Sequence, residues 1–441
     1  MKKILWLLVL AAGYLGTLNV PAFAEDSDAL EEVNSGMGVL SQRLGEVEKT
    51  LGLKFAGDIR FRNEYFMQDQ DKKPTGANVP NISDRNRVRM RFRFGATKKF
   101  GDNAAGTFRL ATGLGSGAAG TADITSTNQT FTGDFNLKPI YVDQAFISWW
   151  PSVLGTQLKF DMGKMANQMT KTPITWDDDV TPEGIAGLIE PVPGTKIRGA
   201  YYSTRENSAF IDPYILYAQI EQSFKPVSDV ETIWTLGYEY IPYINAYSAT
   251  PPAGYGIAGG AGVGLTGMVV DATEGNRIPE FHMYEGILQV KHAIEKIPIV
   301  WTLHGVFNPH SFKITPATVP ATAVVNPTSN ASNEFGFFGQ LAVGKVAAGG
   351  DWAGSVEFGY IEPNAVFAYY SDSDSGTGFN NQSWLKGVVE VGVEDGMSFK
   401  VGQYAAWRTN YDVLGNTPNN TLGGTSHQPV LRTQADFVVK L

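Results

Sequence analysis

Between Arg87 and Phe94 the chain reads Arg-Val-Arg-Met-Arg-Phe-Arg-Phe, a strict alternation of cations and apolar side chains. Successive side chains of an extended strand point to opposite faces, so this run has one fully charged face and one fully apolar face. The charged face needs abundant water, and the apolar face needs a non-aqueous neighbour. A soluble sandwich buries its apolar face in a shared core. A pore-forming barrel turns that face to lipid and the charged face to an aqueous interior.

The same period of two recurs along the chain. Leu53, Phe55, Ile59 and Phe61 alternate with Lys54, Asp58, Arg60 and Arg62. Later runs repeat it: Trp352, Val356, Phe358 and Tyr360 against Asp351, Ser355 and Glu357, then Leu385, Val389, Val391 and Val393 against Lys386, Glu390 and Glu394. In the last run Leu431, Ala435, Phe437 and Val439 alternate with Arg432, Gln434, Asp436 and Lys440. Aromatic residues gather near run ends, as at Trp149-Trp150, Tyr201-Tyr202 and Tyr369-Tyr370, which suits interfacial girdles.

Strands are expected near 52–66, 86–99, 103–113, 139–150, 155–165, 184–191, 195–203, 208–222, 230–243, 278–292, 297–309, 333–346, 350–361, 383–394, 397–408 and 430–441. Short turns near Gly101-Asp102, Pro151, Pro193-Gly194, Pro226, Glu295, Gly349 and Asp395-Gly396 alternate with long connections. The segment 184–191 enters as a strand because it restores that alternation. Residues 52–441 are therefore expected to be all-β, a 16-stranded antiparallel transmembrane β-barrel wide enough for an aqueous channel.

The beginning of the chain follows other rules. Lys2 and Lys3, the apolar run Ile4–Leu18 and Ala22-Phe23-Ala24 predict a cleaved signal peptide over 1–24, an uncleaved membrane anchor being the other reading. In 25–51, Leu30, Val33, Met37, Leu40, Leu44, Val47 and Leu51 are spaced alternately three and four apart, a heptad seam. It predicts a short periplasmic coiled-coil helix that self-associates, or a lone amphipathic helix against the barrel.

Several function classes fall away. The chain has no cysteine, which excludes disulfides and thiolate metal sites. A formal charge of −9 argues against nucleic acid as a partner. His282, His292, His304, His310 and His427 show no metal-binding spacing, and no Gly-x-Ser-x-Gly elbow occurs. No enzyme activity, metal or cofactor is expected. Ser371-Asp372-Ser373-Asp374-Ser375-Gly376 has a calcium-loop flavour without the closing glutamate, and is expected to be a solvated outer loop.

In the third long connection, Gly163-Lys164 ends one strand, Trp176-Asp177-Asp178-Asp179 follows, and Pro182-Glu183-Gly184 leads into the next strand. With these residues in a sixteen-strand order behind an exported heptad segment, the chain resembles the putative porin family of bacterial outer membranes, over nearly all of its length after residue 24. The resemblance implies a homotrimer in outer-membrane lipid, passive diffusion of small hydrophilic solutes and ions, and a third loop folded into the lumen. It implies an acidic loop of Asp177, Asp178 and Asp179 facing a basic wall of Arg60, Arg62, Arg87, Arg89, Arg91 and Arg93, with Arg109 beyond. Two other readings stay open at those residues: the arginines only hydrate the lumen while the aspartates decorate an outer loop, or the aspartates hold a cation. For the whole chain the alternative is a structural or adhesive surface barrel without channel activity.

The heptad segment generates one test. Deleting residues 25–50 is expected to weaken a trimer without abolishing barrel insertion, because wall-to-wall contacts would remain. A mild-detergent gel that shows only monomer for the intact protein would count against self-association.

Overall fold

The computed structural model describes residues 46, 52–67, 85–113, 124–131, 135, 137–153, 156–204, 212, 214–242, 281–309, 334–362, 364–367, 370–375, 380–409 and 429–441. The chain divides into two units, Met1–Leu53 and Lys54–Leu441. In the first, residue 46 is helical; the signal segment 1–24 and the rest of the heptad segment 25–51 lie outside the described residues.

The second unit is one antiparallel sheet. Its strands are β1 (Leu53–Met67), β2 (Arg85–Phe100), β3 (Ala104–Thr112), β4 (Gln129–Thr130), β5 (Ile140–Trp149), β6 (Ser152–Val153), β7 (Thr156–Lys164), β8 (Glu183–Val192) and β9 (Thr195–Ser203). They continue as β10 (Tyr214–Val227), β11 (Val230–Ile241), β12 (Phe281–Ile294), β13 (Ile297–Phe307), β14 (Phe335–Gly344), β15 (Trp352–Ile361), β16 (Gln382–Glu394), β17 (Met397–Arg408) and β18 (Val430–Lys440). Two of these, β4 and β6, have only two residues. The other sixteen form the staves of a barrel, which closes because β1 pairs with both β2 and β18. Among the described residues no helix is long and apolar enough to cross a membrane; the strands are the candidates for crossing.

Fifteen of the sixteen long strands fall where the alternation puts them, including 184–191, which is β8. One is displaced: the strand expected at 208–222 runs from Tyr214 to Val227. Pro226 is not the turn but lies inside β10, where the register with β11 shifts between Phe224 and Val227. Proline has no N–H to give a ladder, and an irregular strand end is where its absence costs least.

The period of two becomes two different faces. Ile59, Phe61, Trp301, Leu303, Val356, Leu385 and Val389 are exposed on the outside. Arg60, Arg62, Glu64, Arg89, Glu239, Glu285, Glu357, Arg432 and Asp436 are buried on the inside. Cross-strand register sets some of the inner residues in a row of alternating sign. The row runs Glu390, Lys400, Asp436, Arg62 across β16, β17, β18 and β1. The apolar core is a cluster at one end of this interior, where Met165, Met169, Ile174 and Trp176 pack with Tyr202, Ile215, Phe281, Phe338, Phe367 and Trp384.

The connection from β7 to β8 leaves the ladder through two glycines paired across it, Gly163 and Gly184. Gly163 has φ near +125°, and a Cβ there would run into the carbonyl oxygen of Ala145. Only glycine adopts such backbone without strain of about 1–3 kcal/mol. Gly163→Ala is therefore expected to destabilise the barrel by about 1–3 kcal/mol, read as a lower temperature for loss of the folded band on an unheated gel. An unchanged transition would show that the ladder can yield at this point.

Candidate functional site

The arginines of β1 and β2 share the inner face because each sits two residues from the next. Carboxylates and loop groups lie within bonding distance of them, partners that the sequence did not point to. Arg62 makes a forked pair with Asp436, Nε to Oδ1 at 2.6 Å and Nη2 to Oδ2 at 2.8 Å. Its Nη1 reaches Asp374 at 2.7 Å. Glu64, fully buried, accepts from Arg87, from Arg432 at 2.7 Å and from Gln434 at 2.8 Å. Arg91 pairs with Asp58 at 2.7 Å, and Arg109 with Asp143 at 2.5 Å. Arg60 donates to Asn128 at 2.6 Å and Arg89 to Ser126 at 3.0 Å, both in the segment that precedes β4. Forked, charge-assisted bonds of this type are the strong ones, and they fix orientation as well as charge.

The three consecutive aspartates part company. Asp179 pairs with Arg93 and accepts from the backbone N–H and hydroxyl of Thr127, each at 2.9 Å. Burial alone would raise its pKa; Arg93 and the Thr127 N–H outweigh that and hold it below the usual carboxylate range. Asp178 is 95% exposed and pairs with Lys171 at 2.9 Å. Asp177 is buried, and its carboxylate accepts from the N–H groups of Asp179 at 2.7 Å and Ser373 at 2.8 Å. Burial, then the nearby Asp372 and Asp179, pushes it up to about 9 against those two donors.

The rest of segment 166–182 touches inner side chains on the far arc of strands. Thr170 N–H donates to Gln219 and its hydroxyl to Glu221, both at 2.9 Å on β10. The indole of Trp176 donates to Glu239 of β11 at 3.1 Å. The hydroxyl of Thr172 lies 2.7 Å from Nδ1 of His304 on β13, and His304 Nε2 lies 3.2 Å from Glu285. His304 lies buried on the inner face. A cavity of about 280 Å³ beside the segment is lined by Asp143, Lys164, Trp176, Asp179, Tyr202 and Tyr370 among others.

The expectation of a solvated outer loop at Ser371–Gly376 is overturned for residues 371–375. Ser371 and Ser375 are 2% and 1% exposed, and Asp374 binds arginines. Local composition signals solvation, but here the barrel supplies the counter-charge. Among the described residues no group of three or more histidines and carboxylates could hold a metal ion.

The sequence did not place Glu64, Arg432, Asp436 or Asp374 beside the arginine wall. The first three were legible in principle: Arg432 and Asp436 share a face of the last strand, and barrel closure sets that strand beside the first. Asp374 lies 312 residues from Arg62, with no local signal to join them.

Asp177 generates a pH test. The ordinary aspartate value is about 4, so the folded protein holds a proton that the unfolded chain releases. Stability from this group is complete below that value and is lost as pH rises toward about 9. Asp177→Asn should flatten the loss, so the heat-unfolding midpoint of the variant falls less than the wild type's across that range. Parallel profiles would show Asp177 ionised throughout.

Comparisons with known proteins bear on this segment. Residues 48–205 match the family described as "Putative porin". No curated protein matches the chain. Among solved structures, Pseudomonas putida OprB superposes with a TM-score of 0.54 at 9% identity, covering 88% of this chain and 94% of that one. Salmonella typhi OmpF (TM-score 0.47, 8% identity, 88% and 97% covered) and the outer-membrane channel DcaP of Acinetobacter baumannii (0.45, 9%, 88% and 97%) overlap more loosely. The resemblance to the putative porin family thus stands on a sequence match over residues 48–205, and the porin-like barrel is a fold that Pseudomonas putida OprB shares.

Proposed function

We propose that this chain is an outer-membrane diffusion channel, exported with a signal peptide that is then removed. Small hydrophilic solutes and ions pass down their gradients through the barrel, with no chemical step. The observation that carries this is the division of faces: apolar residues cover the outside, while guanidinium and carboxylate groups line the inside. A hydrocarbon exterior and a wet interior are the surroundings these two faces require.

Within this proposal segment 166–182 folds inward and narrows the passage, and it sets ion preference against the arginine wall. Its bonds to Arg93 on one arc and to Gln219, Glu239 and His304 on another support that. Of the three aspartates, Asp179 is the one that sets negative charge against the wall, through Arg93, while burial pushes Asp177 up. The chains associate as homotrimers, with the heptad segment assisting.

Unit charges about 4 Å apart interact by about 1–4 kcal/mol between bulk water and a protein surface. That suffices to bias ion passage. In planar bilayers the purified protein should give discrete conductance steps. Asp179→Asn should shift its reversal potential in a salt gradient toward anions, and Arg89→Gln with Arg91→Gln the opposite way. Both shifts should shrink in about 1 M salt, where screening shortens to about 3 Å. Absence of conductance steps would leave a structural or adhesive barrel. Steps with an ion preference that neither variant moves would place these charges away from the path.

A further inference from the structure

The segment Tyr370–Ser375, between β15 and β16, is bonded to the β7–β8 connection at three points. The Asp177 N–H donates to Tyr370 O at 2.6 Å, the Ser373 N–H donates to the Asp177 carboxylate at 2.8 Å, and the Asp372 N–H donates to Pro173 O at 3.1 Å. The rings of Trp176 and Tyr370 stack at 4.4 Å, nearly parallel. On its other side the same segment reaches the arginine wall. Asp374 accepts from Arg62 at 2.7 and 2.9 Å and from Arg432 at 3.1 Å, and Ser373 O accepts from Arg432 at 3.0 Å. The Ser373 hydroxyl donates to Thr125 O at 2.8 Å, which joins a third connection.

Exposure separates Asp374 from the other carboxylates on those two arginines. Its side chain is 29% exposed, against 2% for Asp436 and 0% for Glu64. Asp436 and Glu64 therefore neutralise their guanidinium groups out of reach of a passing ion. Asp374 does so at the surface that an ion meets.

We infer that Tyr370–Ser375 is a second charged element of the constriction, and that Asp374 is a specificity-determining residue which masks Arg62 and Arg432 from permeating ions. This rests on the proposal that the barrel conducts, and it adds a residue and a loop which that proposal does not include. Two connections far apart in sequence then build one narrow zone, and part of the wall's positive charge is hidden rather than offered to anions.

The test is the reversal potential of purified protein in a potassium chloride gradient at low salt. Asp374→Asn should raise the anion-to-cation permeability ratio about thirty-fold, about five-fold for each ion in opposite senses, the size expected of one unit charge about 4 Å from the path in water. Asp178→Asn, whose aspartate is far more exposed and bound to a lysine, should move it less. Asp374→Asn combined with Arg432→Gln removes one charge of each sign and should return the ratio toward wild type. A merely structural role would not be rescued by that second substitution. Wild-type preference in Asp374→Asn, or a shift that Arg432→Gln leaves in place, would overturn the inference while the barrel still conducts. If Asp374→Asn does not assemble, Arg432→Gln alone decides: a shift toward cations supports the inference, and an unchanged ratio overturns it. A wild-type protein that gives no channel steps defeats the diffusion proposal itself, an outcome distinct from either.

Discussion

A strand that faces hydrocarbon must find a partner for every backbone N–H and C=O, since each unpaired group there costs several kcal/mol. Closure of β1 on β18 meets that demand, and much else depends on it. It leaves no edge and divides every strand into an inner and an outer side. It also brings residues of the last strand within bonding distance of the first: Asp436 and Arg432 join Arg62 and Glu64 only because the sheet is a ring. The charged interior follows from the hydrogen-bond ladder rather than from any local motif.

The strands were legible because one face of each must be apolar, and a period of two has no competing explanation over eight or more residues. The alternation from Arg87 to Phe94 marks β2 without any knowledge of its neighbours. Where that signal weakens, so does the expectation. Strand β10 was displaced because Pro226 looks like a turn, whereas it occupies an irregular strand end. The arginine wall was legible as a wall, but its partners were not. Asp58, Glu64 and Asp374 reach it through register and loop placement, which the sequence does not print. The three adjacent aspartates show the same limit, since chemically equal neighbours end with an arginine, a lysine and a pair of backbone N–H groups.

Buried charge inside a barrel obeys a narrow condition. Removing an ion from water costs several kcal/mol, and only close, well-oriented partners offset it. The forked Arg62–Asp436 pair and the shared Glu64 meet that condition. Breaking one member of such a network costs about 3–5 kcal/mol, because the remaining charge stays buried without its partner. The wall is therefore a cooperative unit, and its substitutions do not add.

The bonds of segment 166–182 have a mechanical side. Through Asp179 it is tied to β2, and through Thr170, Trp176 and Thr172 to β10, β11 and β13. Strand β2 pairs with none of β10, β11 and β13, so a segment bonded to both arcs would, in the inward fold proposed for it, work as a spoke. A thin-walled cylinder flattens easily into an ellipse, because bending the wall costs little compared with stretching it. A spoke converts that flattening into the stretching of short polar bonds, which is stiff. Lateral pressure from a crowded bilayer would then be carried across the ring rather than around it, and the bore would hold its outline while the wall around it is squeezed.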